Sequence, residues 1–201
     1  MGLKKRFQNI LRALKQRWGA SETKTKMWDQ EYAGGRWDHC ERTPGAYVYE
    51  CVEKYCRQGS VLDLGCGSGD TGNELNAGRY GSYVGMDISA VAVEKAAKRS
   101  QESGRGHKNQ YVTGDIITFA PAQKHDVILF RESIYYVPLV KLKSVLVRYR
   151  EFLREGGVFV VDVSTRGTKK GDKYRALMEE NFQIVERFSP PRSDDFILIF
   201  R

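Results

Sequence analysis

The sequence predicts an α/β domain: a largely parallel sheet with helices on both faces. Short apolar runs at residues 61–64, 83–86, 126–130 and 158–163 have the length and composition of buried strands. Stretches of helical pattern, such as 90–99 and 139–153, lie between them. The first run leads straight into Gly65-Cys66-Gly67-Ser68-Gly69 and then a polar segment, 71–76, that can open a helix. A strand, a tight glycine turn and a helix make the first half of a nucleotide-binding βαβ unit.

The spacing of the loop bears on the ligand. A dinucleotide site uses G-x-G-x-x-G and turns its helix N-terminus to a pyrophosphate. Here Gly69 comes one residue early, and Asp70 stands where the last glycine of that pattern would be. Asp63 sits two residues before the first glycine. A carboxylate there repels a pyrophosphate and attracts a cation. S-adenosylmethionine carries a sulfonium and an ammonium and no phosphate, so it suits this loop better than a dinucleotide. Asp87 ends the second run, about 20 residues beyond the glycines, where a ribose-binding acid is expected. A third run, 110–113, leads to Gly114-Asp115-Ile116, where an Asp side chain can meet the adenine amino group.

These residues resemble the class I S-adenosylmethionine-dependent methyltransferases. The likeness covers about Ser60 to Arg201 and rests on Leu62-Asp63-Leu64-Gly65-Cys66-Gly67-Ser68-Gly69, Gly85-Met86-Asp87, Gly114-Asp115-Ile116 and Asp126-Val127-Ile128-Leu129. It implies a Rossmann-like, seven-stranded methyltransferase sheet with helices on both faces and an N-terminal helical extension. It also implies S-adenosylmethionine as cofactor. The cofactor set it carries over is Asp63, Gly65, Cys66, Gly67, Gly69, Asp87, Ile88, Asp115, Ile116 and Arg131.

Charge is unevenly placed. The 201 residues carry a net +8, but residues 1–26 alone hold +7, which leaves +1 for the rest. A general nucleic-acid binder carries its basic excess on the domain itself, so DNA is not an expected partner. No apolar run approaches the ~20 residues of a membrane span, and no secretory signal pattern is present. The expected location is cytoplasmic, with contact at a membrane surface as a further option. Cys40, Cys51, Cys56 and Cys66 lack paired zinc spacing and read as free thiols.

Three parts are expected: a basic amphipathic helix over 1–20, a cap or lid segment over 21–59, and the S-adenosylmethionine-binding domain over 60–201. In the first, Leu3, Phe7, Ile10, Leu11, Leu14 and Trp18 share one helical face, and Lys and Arg fill the other. Two readings stand for it: a helix docked on its own domain, or one lying on an anionic membrane. Residues 21–26 read as a linker. The aromatic stretch 28–39 can fold over the cofactor, with Tyr32 and Trp37 as acceptor-binding candidates, or plug the sheet edge. His39 is a catalytic candidate whose alternative is a surface histidine. Thr43-Pro44 reads as a helix start, cap then first residue, and Ser89 as the cap of the helix after the second strand.

The transfer chemistry belongs after the fourth strand, at Arg131-Glu132-Ser133-Ile134-Tyr135-Tyr136, because ligands of open α/β sheets lie beyond the carboxyl ends of the strands. Glu132 is the candidate base, its carboxyl raised by neighbouring aromatics; the alternative is an ion pair with Arg131. Of Tyr135 and Tyr136, one is expected to line the acceptor pocket and one to pack, with Tyr136 in the catalytic set and Tyr135 in the acceptor set. The Asn/Asp-Pro-Pro-Tyr signature of base-modifying enzymes, an Asp-Asp-Asn metal triad and a histidine-rich metal site are all missing, so no metal is expected. Glu132-Ser133-Ile134-Tyr135-Tyr136 and the pattern Tyr32, Gly35-Arg36-Trp37-Asp38, Glu41-Arg42, Tyr47 are similar to the NodS-like branch and to small methyltransferases of bacterial glycan clusters. That likeness implies methyl transfer to a hydroxyl or amine of a small molecule, with a sugar or glycan-linked acceptor. RNA or protein methylation and a non-catalytic cofactor-binding subunit are the alternatives. Oligomeric state is not readable.

Overall fold

The computed structural model describes residues 11, 12, 14, 16, 18–40, 43–163, 170–189 and 196–201. Seven strands form one sheet in the order β3-β2-β1-β4-β5-β7-β6. They are β1 Ser60–Leu64, β2 Ser82–Asp87, β3 Asn109–Thr113, β4 His125–Arg131, β5 Leu153–Val163, β6 Ile184–Phe188 and β7 Phe196–Phe200. The first five pair in parallel, while β7 inserts antiparallel between β5 and β6. Strand order reverses between β1 and β4, and a ligand cleft forms at such a switch point.

Successive residues of the central strands face opposite ways, so each strand feeds two cores. Leu62, Leu64, Ile128, Phe130, Phe159 and Val161 pack with α5 (Leu139–Arg150) and α6 (Lys170–Asn181) through Leu142, Leu146, Tyr149 and Met178. Val61, Tyr83, Val127, Leu129 and Val160 pack on the other face with Val48, Val52 and Cys56 of α2 (Tyr47–Cys56). Burial on both faces is why the central strands read as unbroken apolar runs. Two helices follow β1 and β2: the short α3 (Asp70–Glu74) and α4 (Ala90–Glu102). Ser89 caps α4 by accepting a bond from Ala92 N.

Three local expectations are corrected. Residues 21–26 are not a linker; they open α1 (Ser21–Ala33), which packs on α4. Thr43 does not cap α2, which starts at Tyr47; its hydroxyl is taken by Asp70 and Tyr49 instead. The helix of 139–153 ends at Arg150, and β5 begins at Leu153, paired with His125. Val158 then pairs with Val127, so residues 154–157 bulge out and the apolar pattern restarts only beyond them.

Candidate active site

A cavity of about 860 Å³ lies at the switch point, between the loops after β1, β2 and β4 and the inner side of α1. The glycine loop forms its floor. Gly65 and Gly67 have φ of +88° and +53°, which glycine adopts without strain. A Cβ on Gly65 would strike Ser133 at 2.6 Å, and one on Gly67 would strike the Tyr32 hydroxyl at 2.8 Å. Gly69 is different: its Cβ would meet Ala96 of α4 at 2.7 Å, and it does not line the cavity. Gly69, expected in the cofactor set, lets the start of α3 approach α4.

The three strand-tip acids sit on the cavity wall. Asp63, on β1, is 1% exposed. Its Oδ2 accepts from the Tyr83 hydroxyl at 2.6 Å, and its Oδ1 has no partner among the described residues. Burial pushes this carboxyl up to about 6, against the Tyr83 bond that pulls it down. Asp87 accepts from Ser89 N at 2.9 Å and Gly67 N at 3.0 Å, and burial lifts it to about 6 as well. Asp115 bonds Ile117 N and is ion-paired with Lys24 of α1. Burial is the largest influence on Asp115 and raises it, but the bonds from Lys24, Ile117 N and Ser21 and the Lys24 charge together outweigh it, and the carboxyl lies below its usual range. Ile88 and Ile116 flank these acids in the cavity wall. Cys66 is buried there too, and burial raises its thiol far above the usual range. It is an inert wall residue.

At the other end, Arg131 closes β4 and donates to Asp70 Oδ2 at 2.7 Å and to the Thr43 hydroxyl. Its guanidinium lies 5.0 Å from the Tyr49 ring centroid. Burial opposes the Arg131 charge, but Tyr49 and Asp70 hold the pKa above its ordinary value. Glu132 follows with φ +53°, unusual for a residue with a Cβ. It accepts a bond from the Tyr135 hydroxyl at 2.8 Å. Tyr136 meets Trp28 edge-on at 5.1 Å, and Trp28 lies 5.7 Å from Trp37 and 6.2 Å from Tyr32. Burial raises the Tyr136 phenol above its usual range. Trp28, Tyr32, Trp37, Tyr135 and Tyr136 all line the cavity. His39 does not: it is exposed on a 3-10 turn, stacked on the outer side of Trp37 at 6.2 Å.

Helix α1 is seated by polar contacts. Asp29 takes the Ser89 hydroxyl at 2.6 Å, Lys95 reaches Tyr32 O at 3.0 Å, and Lys24 reaches Asp115. Among the described residues, the cavity wall holds carboxylates from Asp63, Asp70, Asp87, Asp115, Glu132 and Asp162, against the cations Lys24 and Arg131. Both cations are paired with wall carboxylates. The remaining field is negative, which suits a cationic nucleoside and opposes a pyrophosphate. Among the described residues, no group of three or more His, Cys, Asp or Glu side chains could hold a metal.

Sequence reasoning missed Lys24, Thr43, Asp70 and Asp162 as wall residues. Asp162 carried a usable signal, an acid near the end of a parallel strand, the same rule that found Asp63 and Asp87. Lys24 carried none, since its partner is 91 residues away.

A family model described as a methyltransferase domain matches residues 57–189. A sterol 24-C-methyltransferase of Aspergillus fumigatus is 27% identical over 143 residues, 65% of this chain and 37% of that protein. A ribosomal protein L11 methyltransferase of an Exiguobacterium species is 28% identical over 140 residues, 68% of this chain and 42% of that protein. The chain spans less than half the length of these curated relatives. Among solved structures, the N-methyltransferase NodS of Bradyrhizobium japonicum, in complex with S-adenosyl-L-homocysteine, matches with a TM-score of 0.67 at 18% identity. That match covers 88% of this chain and 97% of NodS. At that identity the likeness is one of fold.

Proposed function

The chain belongs to the class I S-adenosylmethionine-dependent methyltransferases, through their methyltransferase domain, and we propose that it methylates a hydroxyl or amine of a small molecule, with a sugar or glycan-linked acceptor. The observation that carries the donor assignment is Asp63 Oδ1, a buried carboxylate oxygen without a partner among the described residues, in the wall of a negative cavity. It fits the ammonium of the donor's methionine part. Asp87 fits the ribose hydroxyls and Asp115 the adenine amino group, with Gly65, Gly67, Ile88 and Ile116 shaping the floor between them. When bound, the donor supplies an electrophilic methyl group on a sulfonium.

The chain's own work is to align the acceptor and exclude water. Trp28, Tyr32 and Trp37 roof the cavity from the N-terminal segment, and Tyr135 and Tyr136 wall it from the β4 loop. Glu132 takes the acceptor's proton. The Tyr135 hydroxyl orients that carboxylate, and the left-handed backbone at Glu132 is the strain such a placement costs, on the order of 1–3 kcal/mol. Arg131 bonds Asp70 and Thr43, and so fixes the end of β4 from which Glu132 departs. The sugar reading is supported by the likeness of residues 132–136 and 32–47 to the NodS-like branch. The same reading puts the domain in peripheral contact with a membrane surface through residues 1–20. No helix among the described residues is long and apolar enough to cross a membrane.

The test is transfer of label from methyl-labelled S-adenosylmethionine to a panel of hexoses, hexosamines and oligosaccharides. Label in a sugar supports the reading. Label appearing only in RNA or in protein, or in no acceptor despite donor binding, contradicts it.

A further inference from the structure

The described residues among 11–18 are seated the wrong way round for a helix that docks to bury its apolar stripe. The described residues there, 11, 12, 14, 16 and 18, are helical. Arg12 turns inward, held by Glu31 of α1 through bonds of 2.6 and 2.7 Å. Gln16 turns inward too and lines the cavity. At about 100° per residue, Gln16 lies across the helix from Leu11, Leu14 and Trp18. Those three face water, at 41%, 51% and 58% exposure.

Three large apolar side chains on one outer face mark an interaction surface. Charge selects the occupant. Residues 1–26 hold eight basic side chains against Glu22; Arg12 and Lys24 are paired inward and Lys26 with Glu22, which leaves an excess of five. An anionic lipid surface offers an apolar layer for Leu11 and Leu14, an interface that favours Trp18, and attraction for each nearby basic residue. We propose that residues 11–18 form an interfacial helix that lies on an anionic bilayer, its outer face among the headgroups and its inner face walling the cavity. One helix then serves both contacts. Gln16 touches the cavity directly, and Arg12 ties the helix to Glu31 on the lid. The outer face is presented as a unit when Arg12 is held there, with the lid closed. Bilayer binding and occupation of the cavity are therefore linked, and each strengthens the other by the same factor. The linkage rests on the reading that the cavity holds the methyl donor; the lipid contact is read separately.

The experiment uses the full chain. Cosedimentation is measured with phosphatidylglycerol and with phosphatidylcholine vesicles, and S-adenosylhomocysteine is titrated calorimetrically with and without each. The expected result is binding to phosphatidylglycerol that weakens as salt rises, none to phosphatidylcholine, and a gain in S-adenosylhomocysteine affinity of at least about fivefold on the anionic vesicles. A triple variant, Leu11→Glu with Leu14→Glu and Trp18→Glu, keeps the solution affinity and loses both the vesicle binding and the gain. Absence of vesicle binding, an affinity unchanged on the vesicles, or wild-type self-association abolished by the triple variant overturns the proposal. The last would assign the face to a second copy of the chain. Vesicle binding without any affinity for S-adenosylhomocysteine would instead strike the donor reading and leave the lipid surface supported.

Discussion

Lys24 on helix α1 is ion-paired with Asp115 beyond β3, and both side chains are about nine-tenths buried, at 9% and 10% exposure. This pair fastens α1 over the adenine end of the proposed donor site. Removing one partner of a buried pair leaves the other charge uncompensated, which is costly. Lys24→Met should therefore loosen the lid: amide exchange across residues 21–33 should speed about tenfold or more, with the central sheet unchanged. Adding Asp115→Asn should restore most of the protection. Independent, additive effects would show that the pair does not hold the lid.

Glu132 pairs a strained backbone with a proposed chemical role. Glu132→Gly relieves the φ of +53°, so unfolding by urea should show equal or higher stability, while methyl transfer falls by about 10²–10⁴. Glu132→Gln keeps the side-chain shape and should lose activity to a similar degree. Full turnover in the Gln variant would remove Glu132 as base.

Acid should weaken donor-site binding. Asp63 and Asp87 have carboxyls raised to about 6 by burial, and each meets a cationic or hydroxyl group best when ionised. As pH falls through 6 they take up protons, and affinity for S-adenosylhomocysteine should drop by up to about tenfold per pH unit for each proton. Folding stability runs the other way. A carboxyl whose folded value exceeds its unfolded value of ~4 favours the folded state more as pH falls from 6 to 4. Loss of binding in that window is thus not unfolding. Titration calorimetry from pH 7.5 to 5 checks this, and Asp63→Asn should flatten the profile.

The two ends of the glycine loop should fail differently. Gly67→Ala drives a methyl into the Tyr32 hydroxyl at the cavity floor, so S-adenosylhomocysteine affinity should fall at least about tenfold with a modest loss of stability. Gly69→Ala strikes Ala96 and keeps a φ of +80°, so its main effect should be a loss of about 1–3 kcal/mol in unfolding free energy. His39→Ala, outside the cavity, should leave turnover unchanged.

The parallel strands and the Ser89 cap were legible because each is written in a local pattern: an apolar run, a capping serine. The acids Asp63, Asp87 and Asp115 were legible as strand-tip positions. Helix α1 was not. Of its 13 residues, Lys24 and Trp28 are the buried ones, so it shows no apolar stripe; polar partners at Ser89, Lys95 and Asp115 hold it instead. Thr43-Pro44 carried a capping signal, but Asp70, Tyr49 and Arg131 compete for the threonine hydroxyl and win it. His39 drew notice by residue type alone, and its position on the outer side of Trp37 depends on the turn at Gly34-Gly35, which sequence pattern does not aim.

The central claim is that buried strand-tip carboxylates make this cavity a receptor for a positively charged nucleoside. Calorimetric titration of the full chain with S-adenosylmethionine and, separately, with NAD decides this. One saturable site for S-adenosylmethionine is expected, weakened by Asp63→Asn, with no heat from NAD. Tight NAD binding with none for S-adenosylmethionine would overturn the assignment.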